Sequence, residues 1–258
     1  MGRIIAIANQ KGGVGKTTTS VNLAASLAAT KRYVLLVDLD PQGNATMGSG
    51  IDKQQLEISS YDLLMNEKPA SEVIVDSLEG KYALIPSNSD LTGAEVALLD
   101  EIAREVRLRS ALETVQDIYD FILIDCPPSL NMLTVNALVA ANSVMIPMQC
   151  EYYALEGLTG LLETIEKIRK HLNPDLKIEG LLRTMYDPRN NLATQVSAQL
   201  IDHFGEKVYR TIIPRNVRLA EAPSHGQTAL KYDKSSSGAV AYLALAGEIL
   251  RREGIIAA

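Results

Sequence analysis

Cysteine is nearly missing from the sequence. Only Cys126 and Cys150 occur, too few to frame a disulfide-held secreted domain and in keeping with a reducing compartment. Tryptophan does not occur, phenylalanine occurs twice, and the three histidines, His171, His203 and His225, are scattered along the chain. Neither they nor the two thiols show a metal-ligand or iron–sulfur spacing. No apolar run reaches the ~18 residues that span a bilayer, and no leader with charged, apolar and small-residue blocks opens the chain. Positive charge is in deficit: 25 Lys and Arg against 31 Asp and Glu leave a net charge of -6. That excludes a uniformly basic surface but not a local patch. Also lacking are a Pro/Gly/Ser-rich linker, a low-complexity tract and a fixed-period repeat. What is present is 258 residues, 47% of them apolar and 22% charged, enough to build a sizeable core. Without a linker, one domain over 1–258 is expected.

Short β-rich apolar runs recur at 4–8, 34–39, 82–86, 121–124, 144–148, 178–182 and 208–214, and stretches suited to helices lie between them, among them 16–29, 94–118, 129–141, 155–172 and 191–204. Most runs are apolar at successive rather than alternate positions, the pattern of strands buried on both faces of a parallel sheet. Strand–helix–strand repetition with right-handed crossovers predicts an α/β fold, a doubly wound, mostly parallel sheet with helices on both faces. A last helix, about 237–252, carries apolar residues at Val240, Leu243, Ala244 and 246–250 and is expected to pack on the sheet.

Directly after the first run come Gln10, Lys11, Gly12, Gly13, Val14, Gly15, Lys16, Thr17 and Thr18, followed by an Ala/Leu-rich helix. Glycines let backbone N–H groups converge on one anion, and the helix N-terminus adds partial positive charge. Lys16 is placed to reach β- and γ-phosphates, and the Thr17 hydroxyl to ligate Mg²⁺. The run fits G-x-x-x-x-G-K-[ST] except at its first position, where Gln10 replaces glycine. A turn that merely joined strand to helix would have little use for Lys-Thr-Thr. Asp40 and Asp125 each end an apolar run, so a parallel sheet delivers both to its carboxyl edge beside the loop, where a carboxylate holds Mg²⁺ directly or through water. Asp38 is expected to face away from Asp40. Helix capping is the ordinary alternative for a strand-end aspartate.

The stretch from Lys11 to Thr18 is similar to the deviant Walker A loop of the ParA/MinD class of ATPases. Further segments extend the resemblance over almost the whole chain: Asp38-Leu39-Asp40-Pro41-Gln42-Gly43-Asn44, then 124–128, 149–157 and 214–224. Together they resemble chromosomal, Soj-type ParA partition ATPases. The resemblance implies a P-loop fold and a slow, partner-stimulated hydrolysis of ATP with Mg²⁺. It makes Lys11 the signature lysine that reaches the nucleotide of a second subunit, so that ATP binding drives homodimerisation. Asp125 becomes the Walker B acid, and Asp40 the residue that orients or activates the attacking water. The metal site is then Thr17, Asp40 and Asp125. The turn at 213–216 is placed near adenine, with Pro214 packing on the ring and Asn216 offering hydrogen bonds; a plain turn is the alternative.

Charge is uneven along the chain. Residues 52–125 hold 16 acids and 6 bases, whereas 183–234 hold 8 bases and 5 acids, so a basic surface survives on an acidic protein. Arg189, Arg218, Lys231 and Lys234 fall in or beside expected loops. By resemblance, bases in these stretches hold the backbone of double-stranded DNA without reading sequence, and dimerisation doubles the patch. Each alone also reads as ordinary solvated charge. The resemblance adds a ParB-type partner that resets the ATPase, and a place on the nucleoid in the cytoplasm. Ten residues before the loop leave no room for a helix-turn-helix, which argues against sequence-specific repression. The main alternative is a MinD-like regulator of division-site placement at the membrane. It is opposed by the end of the chain, 251–258, too short and too poor in bases for a helix lying on lipid; no membrane partner is expected. A redox or metal-insertion ATPase is opposed by the cysteine arrangement. Cys126, Cys150, Tyr152 and Tyr153 are expected to serve packing.

Overall fold

The computed structural model of the chain describes residues 2–77, 80–152 and 154–256, leaving out the side chains of 154–156. Its frame is a seven-stranded sheet of β1 (Arg3–Ile7), β2 (Val34–Asp38), β3 (Val75–Ser77), β4 (Tyr82–Ile85), β5 (Phe121–Asp125), β6 (Ser143–Gln149) and β7 (Lys177–Thr184), in the order β3-β4-β2-β5-β1-β6-β7. Every pairing is parallel except β3 with β4. The helices are α1 (Lys16–Ala29), α2 (Asn44–Gly48), α3 (Ser60–Leu64), α4 (Ala70–Val73), α5 (Leu91–Ala97), α6 (Arg107–Glu113), α7 (Met132–Ala140), α8 (Ala154–His171), α9 (Asn191–Phe204), α10 (Val217–Glu221), α11 (Ala229–Tyr232) and α12 (Ser237–Arg252).

The continuous apolar runs do what their pattern requires. In β5, Ile122 and Ile124 join one core cluster while Phe121 and Leu123 join the other, and β1 divides the same way between Ile4 with Ala6 and Ile5 with Ile7. Residues of α7, α8 and α9 close the first face, and residues of α1 and α12 the second. The sheet is therefore doubly wound, as expected. The bounds of α1 and α9 coincide with the predicted 16–29 and 191–204. Helix α12 does pack on the sheet, and the Tyr242 hydroxyl lies 3.1 Å from Thr19 Oγ1 of α1. Its buried stripe runs through Ala239, Tyr242, Leu245, Ala246 and Ile249, however, and leaves Val240 53% exposed.

Three expectations need correction. The segment 208–214 is not a strand and meets its neighbours only through isolated bridges, Leu181 with Val208 and Tyr186 with Pro214. Tyr209 N and Ile213 N still donate to Leu181 O and Arg183 O of β7, but the groups between are spent elsewhere: Arg183 Nη2 donates to the carbonyls of Tyr209 and Arg210, and Glu248 accepts from the amides of Arg210 and Thr211. The single helix expected over 94–118 is broken into α5, α6 and short 3-10 turns. Ala103, between them, takes a left-handed φ of 56°. Val96, Leu99 and Ile102, which made the apolar pattern look continuous, are exposed. Finally, β3 was not foreseen; three residues at an antiparallel edge leave too short a pattern to read.

Candidate functional site

The loop between β1 and α1 lies at the carboxyl ends of the central strands, where the chain crosses from β5 to β6 over β1. Gly13 and Gly15 have φ of 72° and 86°, a region open to glycine and costly for a side chain. A Cβ on Gly12 or Gly13 would meet nothing within 4 Å, so these glycines border open space. Helix α1 starts on Gly15 without a side-chain cap, which leaves its first-turn N–H groups available to an anion. Two residues that motif reading passed over pin the loop. Asn9 accepts from Lys11 N at 3.0 Å and donates to Pro147 O at 2.8 Å, and Thr184 Oγ1 at the end of β7 donates to Val14 O at 2.7 Å. Gln10, in the position of the missing glycine, packs on Gly160 of α8.

Lys16 is 7% exposed, and its ammonium donates to Lys11 O at 3.2 Å. Burial pulls its pKa down, opposed by the charges of Asp125, Cys126 and Asp40. Thr17 Oγ1 donates to Asp125 Oδ2 at 2.8 Å and Ser20 Oγ to Asp125 Oδ1 at 2.7 Å; Ser20, one turn into α1, is a further participant that the motif did not reveal. Asp125 is fully buried and pushed up to about 7, first by burial and then by Asp38. Asp38 does not turn away. It is the register partner of Asp125, accepts from Thr46 N and Oγ1 and from Asp40 N, and burial pushes it up to about 6. The expectation failed because positions two apart on a strand share a face. Asp40 is 8% exposed and accepts from Gln42 N at 2.9 Å. The structure thus brings Lys16, Thr17, Asp40 and Asp125 together. Among the described residues no group of three or more His, Cys, Asp or Glu side chains could cage a metal by itself. A hard cation here would draw on Thr17, a carboxylate and the oxygens of a bound phosphate, a donor set that suits Mg²⁺.

Lys11 meets this cluster through its backbone carbonyl, while its ammonium is engaged elsewhere, 2.6 Å from Glu151 Oε2. Pro214 sits in the isolated bridge with Tyr186. Asn216 caps α10 by accepting from Arg218 N and Leu219 N and donates to Ser237 Oγ, so its amide is already committed on both sides. Of the expected DNA-facing bases, Arg189 is paired with Asp187, and Arg218 with Glu221 and Asp233. Lys231, in α11, and Lys234, just after it, are exposed. Arg215, exposed and near enough to help lower the Asp187 pKa, is a base not picked out from the sequence. Cys126 and Cys150 are buried and unbridged. Burial raises both thiols, Asp125 adding to the effect at Cys126, and Cys150 is pushed up to about 11. Two of the three histidines meet aromatic rings: His203 meets Phe204 edge-on, and His225 stacks on Tyr232 at 5.1 Å. Tyr152 is 72% exposed rather than packed, and Tyr153 lies outside the described residues. No helix among the described residues is long and apolar enough to cross a membrane.

The family described as an AAA domain matches residues 2–178. The sporulation initiation inhibitor protein Soj of Bacillus subtilis is 57% identical over 249 residues, covering 96% of this chain and 98% of its own. The chromosome partitioning protein ParA of Myxococcus xanthus is 52% identical over 253 residues, 98% of this chain and 89% of its own. Among solved structures, a Mycobacterium smegmatis protein named cobyrinic acid a,c-diamide synthase, crystallised with an ATP analogue and magnesium, aligns with a TM-score of 0.86 at 39% identity, covering 98% and 96% of the two chains. The partition relatives are thus markedly nearer in sequence than that synthase. Alike in sequence from end to end, the chain belongs to the ParA/Soj family of chromosome-partitioning ATPases.

Proposed function

We propose that the chain works as one ATPase domain over residues 1–258, which binds ATP with Mg²⁺ in the β1–α1 loop and dimerises in that state. The dimer holds double-stranded DNA without reading its sequence. A ParB-type partner resets it by speeding a slow intrinsic hydrolysis, and the cycle runs on the nucleoid in the cytoplasm. The observation that carries this reading is the buried Lys16 ammonium. It stands at an uncapped helix start, hydrogen-bonded to a neutral carbonyl with no carboxylate bonded to it, so the ammonium and the free first-turn N–H groups are together placed to take an anion.

Bound Mg²⁺ would supply charge neutralisation at the phosphate oxygens. Thr17 and Asp125 are the residues to hold it, directly or through water. Asp40 orients or activates the attacking water. Lys11 leaves Glu151 to reach a nucleotide held by a second copy, and Pro214 and Asn216 border the base. Arg189, Arg218, Lys231 and Lys234 contribute phosphate contacts, and the base surplus over 183–234 supports that role. The test is oligomer mass by light scattering with Mg²⁺ and ADP, ATP or a slowly hydrolysed analogue, then with random-sequence DNA added. Lys16→Ala should lose nucleotide binding and dimerisation, whereas Asp40→Ala should stay dimeric without turning over. A wild-type chain that remains monomeric with the analogue refutes the proposal. Sedimentation with lipid vesicles in place of DNA would favour the membrane regulator.

A further inference from the structure

A cleft of about 840 Å³ opens between the C-terminal ends of α9 and α12 and the 205–211 connection. Its lining includes the buried Tyr209 ring and the half-exposed Ile201, together with Arg183, Arg210, Arg251 and Arg252 against Glu206 and Glu248. Four cations and two carboxylates leave a local surplus of positive charge on a chain whose net charge is -6. Two of the arginines have an ordinary explanation. Arg251 and Arg252 lie in the last turn of α12, where a cation complements the partial negative charge of the helix end. Arg252 is also engaged: it stacks at 4.2 Å over the Tyr209 ring and bonds to Glu248 at 2.8 Å.

That explanation does not reach the other two. Arg210 is exposed on the connection and, like Arg251, has no carboxylate partner among the described residues. Glu248, the nearest candidate, is occupied by Arg252 and by the amides of Arg210 and Thr211. Arg183 is 6% exposed. Its guanidinium donates only to the neutral acceptors Ser197 Oγ, Tyr209 O and Arg210 O, and its Nε has no partner at all. Glu248 acts on it only through space and is itself bonded elsewhere, so this buried guanidinium is only partly compensated.

We propose that this cleft binds a phosphate-bearing anion, with Arg210 and Arg251 as mobile donors at its mouth and Arg183 as the fixed charge at its back. Planar guanidinium forks match phosphoryl oxygens in pairs. Such a group comes either as free phosphate or as the backbone of DNA. The cleft is also connected to the nucleotide loop: Thr184, adjacent to Arg183 on β7, holds Val14 O.

The test compares the wild-type chain with the double variant Arg210→Ala/Arg251→Ala; both side chains are exposed, so folding is not at stake, and a thermal melt confirms it. Each protein is saturated with ADP and Mg²⁺ to fill the loop, then titrated by calorimetry with inorganic phosphate at constant ionic strength. Separately, each is titrated with random-sequence duplex DNA in the presence of ATP. The ADP step rests on the nucleotide reading above, but the difference between the two proteins carries the result, so failure of ADP to bind leaves the comparison valid. Phosphate bound by the wild type and about a hundredfold more weakly by the variant, the worth of two charge-assisted hydrogen bonds, one from each arginine, establishes the site for a free ligand. DNA affinity reduced about as much, with no phosphate binding to either protein, establishes it for backbone phosphate. If both probes bind the two proteins equally, or neither probe binds the wild type, the proposal is overturned.

Discussion

Replacing Lys11 by Ala separates what this lysine does inside one chain from what it is proposed to do between two. Inside the chain it is paired with Glu151 at 2.6 Å, but the two side chains are 39% and 50% exposed. An ion pair so open to solvent is worth ~0.2–1 kcal/mol. A charge-assisted hydrogen bond to a phosphate oxygen in a closed interface is worth ~1.5–3 kcal/mol. The lysine therefore gains about 1–2 kcal/mol by leaving Glu151 for a nucleotide, roughly a factor of ten in equilibrium. A symmetric dimer contains two such transfers, so Lys11→Ala should weaken nucleotide-dependent association about a hundredfold. The stability of the nucleotide-free fold should change by less than ~1 kcal/mol. Sedimentation velocity with Mg²⁺ and a slowly hydrolysed ATP analogue reads the first quantity, and urea unfolding of the nucleotide-free chain reads the second. A variant that associates like wild type refutes the transfer. One that loses more than ~2 kcal/mol of fold stability shows that the in-chain contact was misjudged.

Three other perturbations have defined outcomes. Asp38 and Asp125 are raised to about 6 and about 7, so the folded chain holds protons that the unfolded chain releases. Their contribution to stability therefore falls as pH rises from about 4 through 7. The nucleotide-free protein should gain melting temperature from these groups on going from about pH 7.5 to 5.5, and Asp125→Asn should flatten the dependence; a steeper one contradicts the burial argument. Thr184→Val removes the donor to Val14 O and leaves a buried carbonyl unpaired at ~1–3 kcal/mol. ADP affinity measured by calorimetry should drop several-fold, and unchanged affinity would mean that the loop holds its shape without the anchor. Gly180→Ala places a Cβ 2.6 Å from Tyr209 Cε2 and 2.9 Å from Lys207 O. It should cost ~1–3 kcal/mol in urea unfolding, and a neutral result would show that 207–209 yields easily.

What could be read from the sequence was set by how local the signal is. The glycine loop, with Lys16 and Thr17 at a strand–helix junction, is a contiguous motif, and α1 and α9 carry their own periodicity, so these were legible. The strand-end positions of Asp40 and Asp125 followed from the parallel sheet. Asn9, Ser20 and Thr184 were not legible, because small polar residues gain their roles only when separate strands and helices converge on the loop. The 208–214 segment was misread for a related reason: its β-rich composition is real, but Arg183 and Glu248, distant in sequence, take the backbone groups that a ladder would need. Val96, Leu99 and Ile102 misled in the opposite sense, since apolar residues on a surface mimic a buried helix face.

Cys126 and Cys150 have a practical meaning beyond packing. Both sulfurs are shielded from solvent and stay protonated near neutral pH, so alkylating reagents find no thiolate to attack. A cysteine engineered onto the surface becomes the one reactive handle per chain, and spectroscopic probes or cross-linkers can report on an assembly of two copies while the native thiols stay in place.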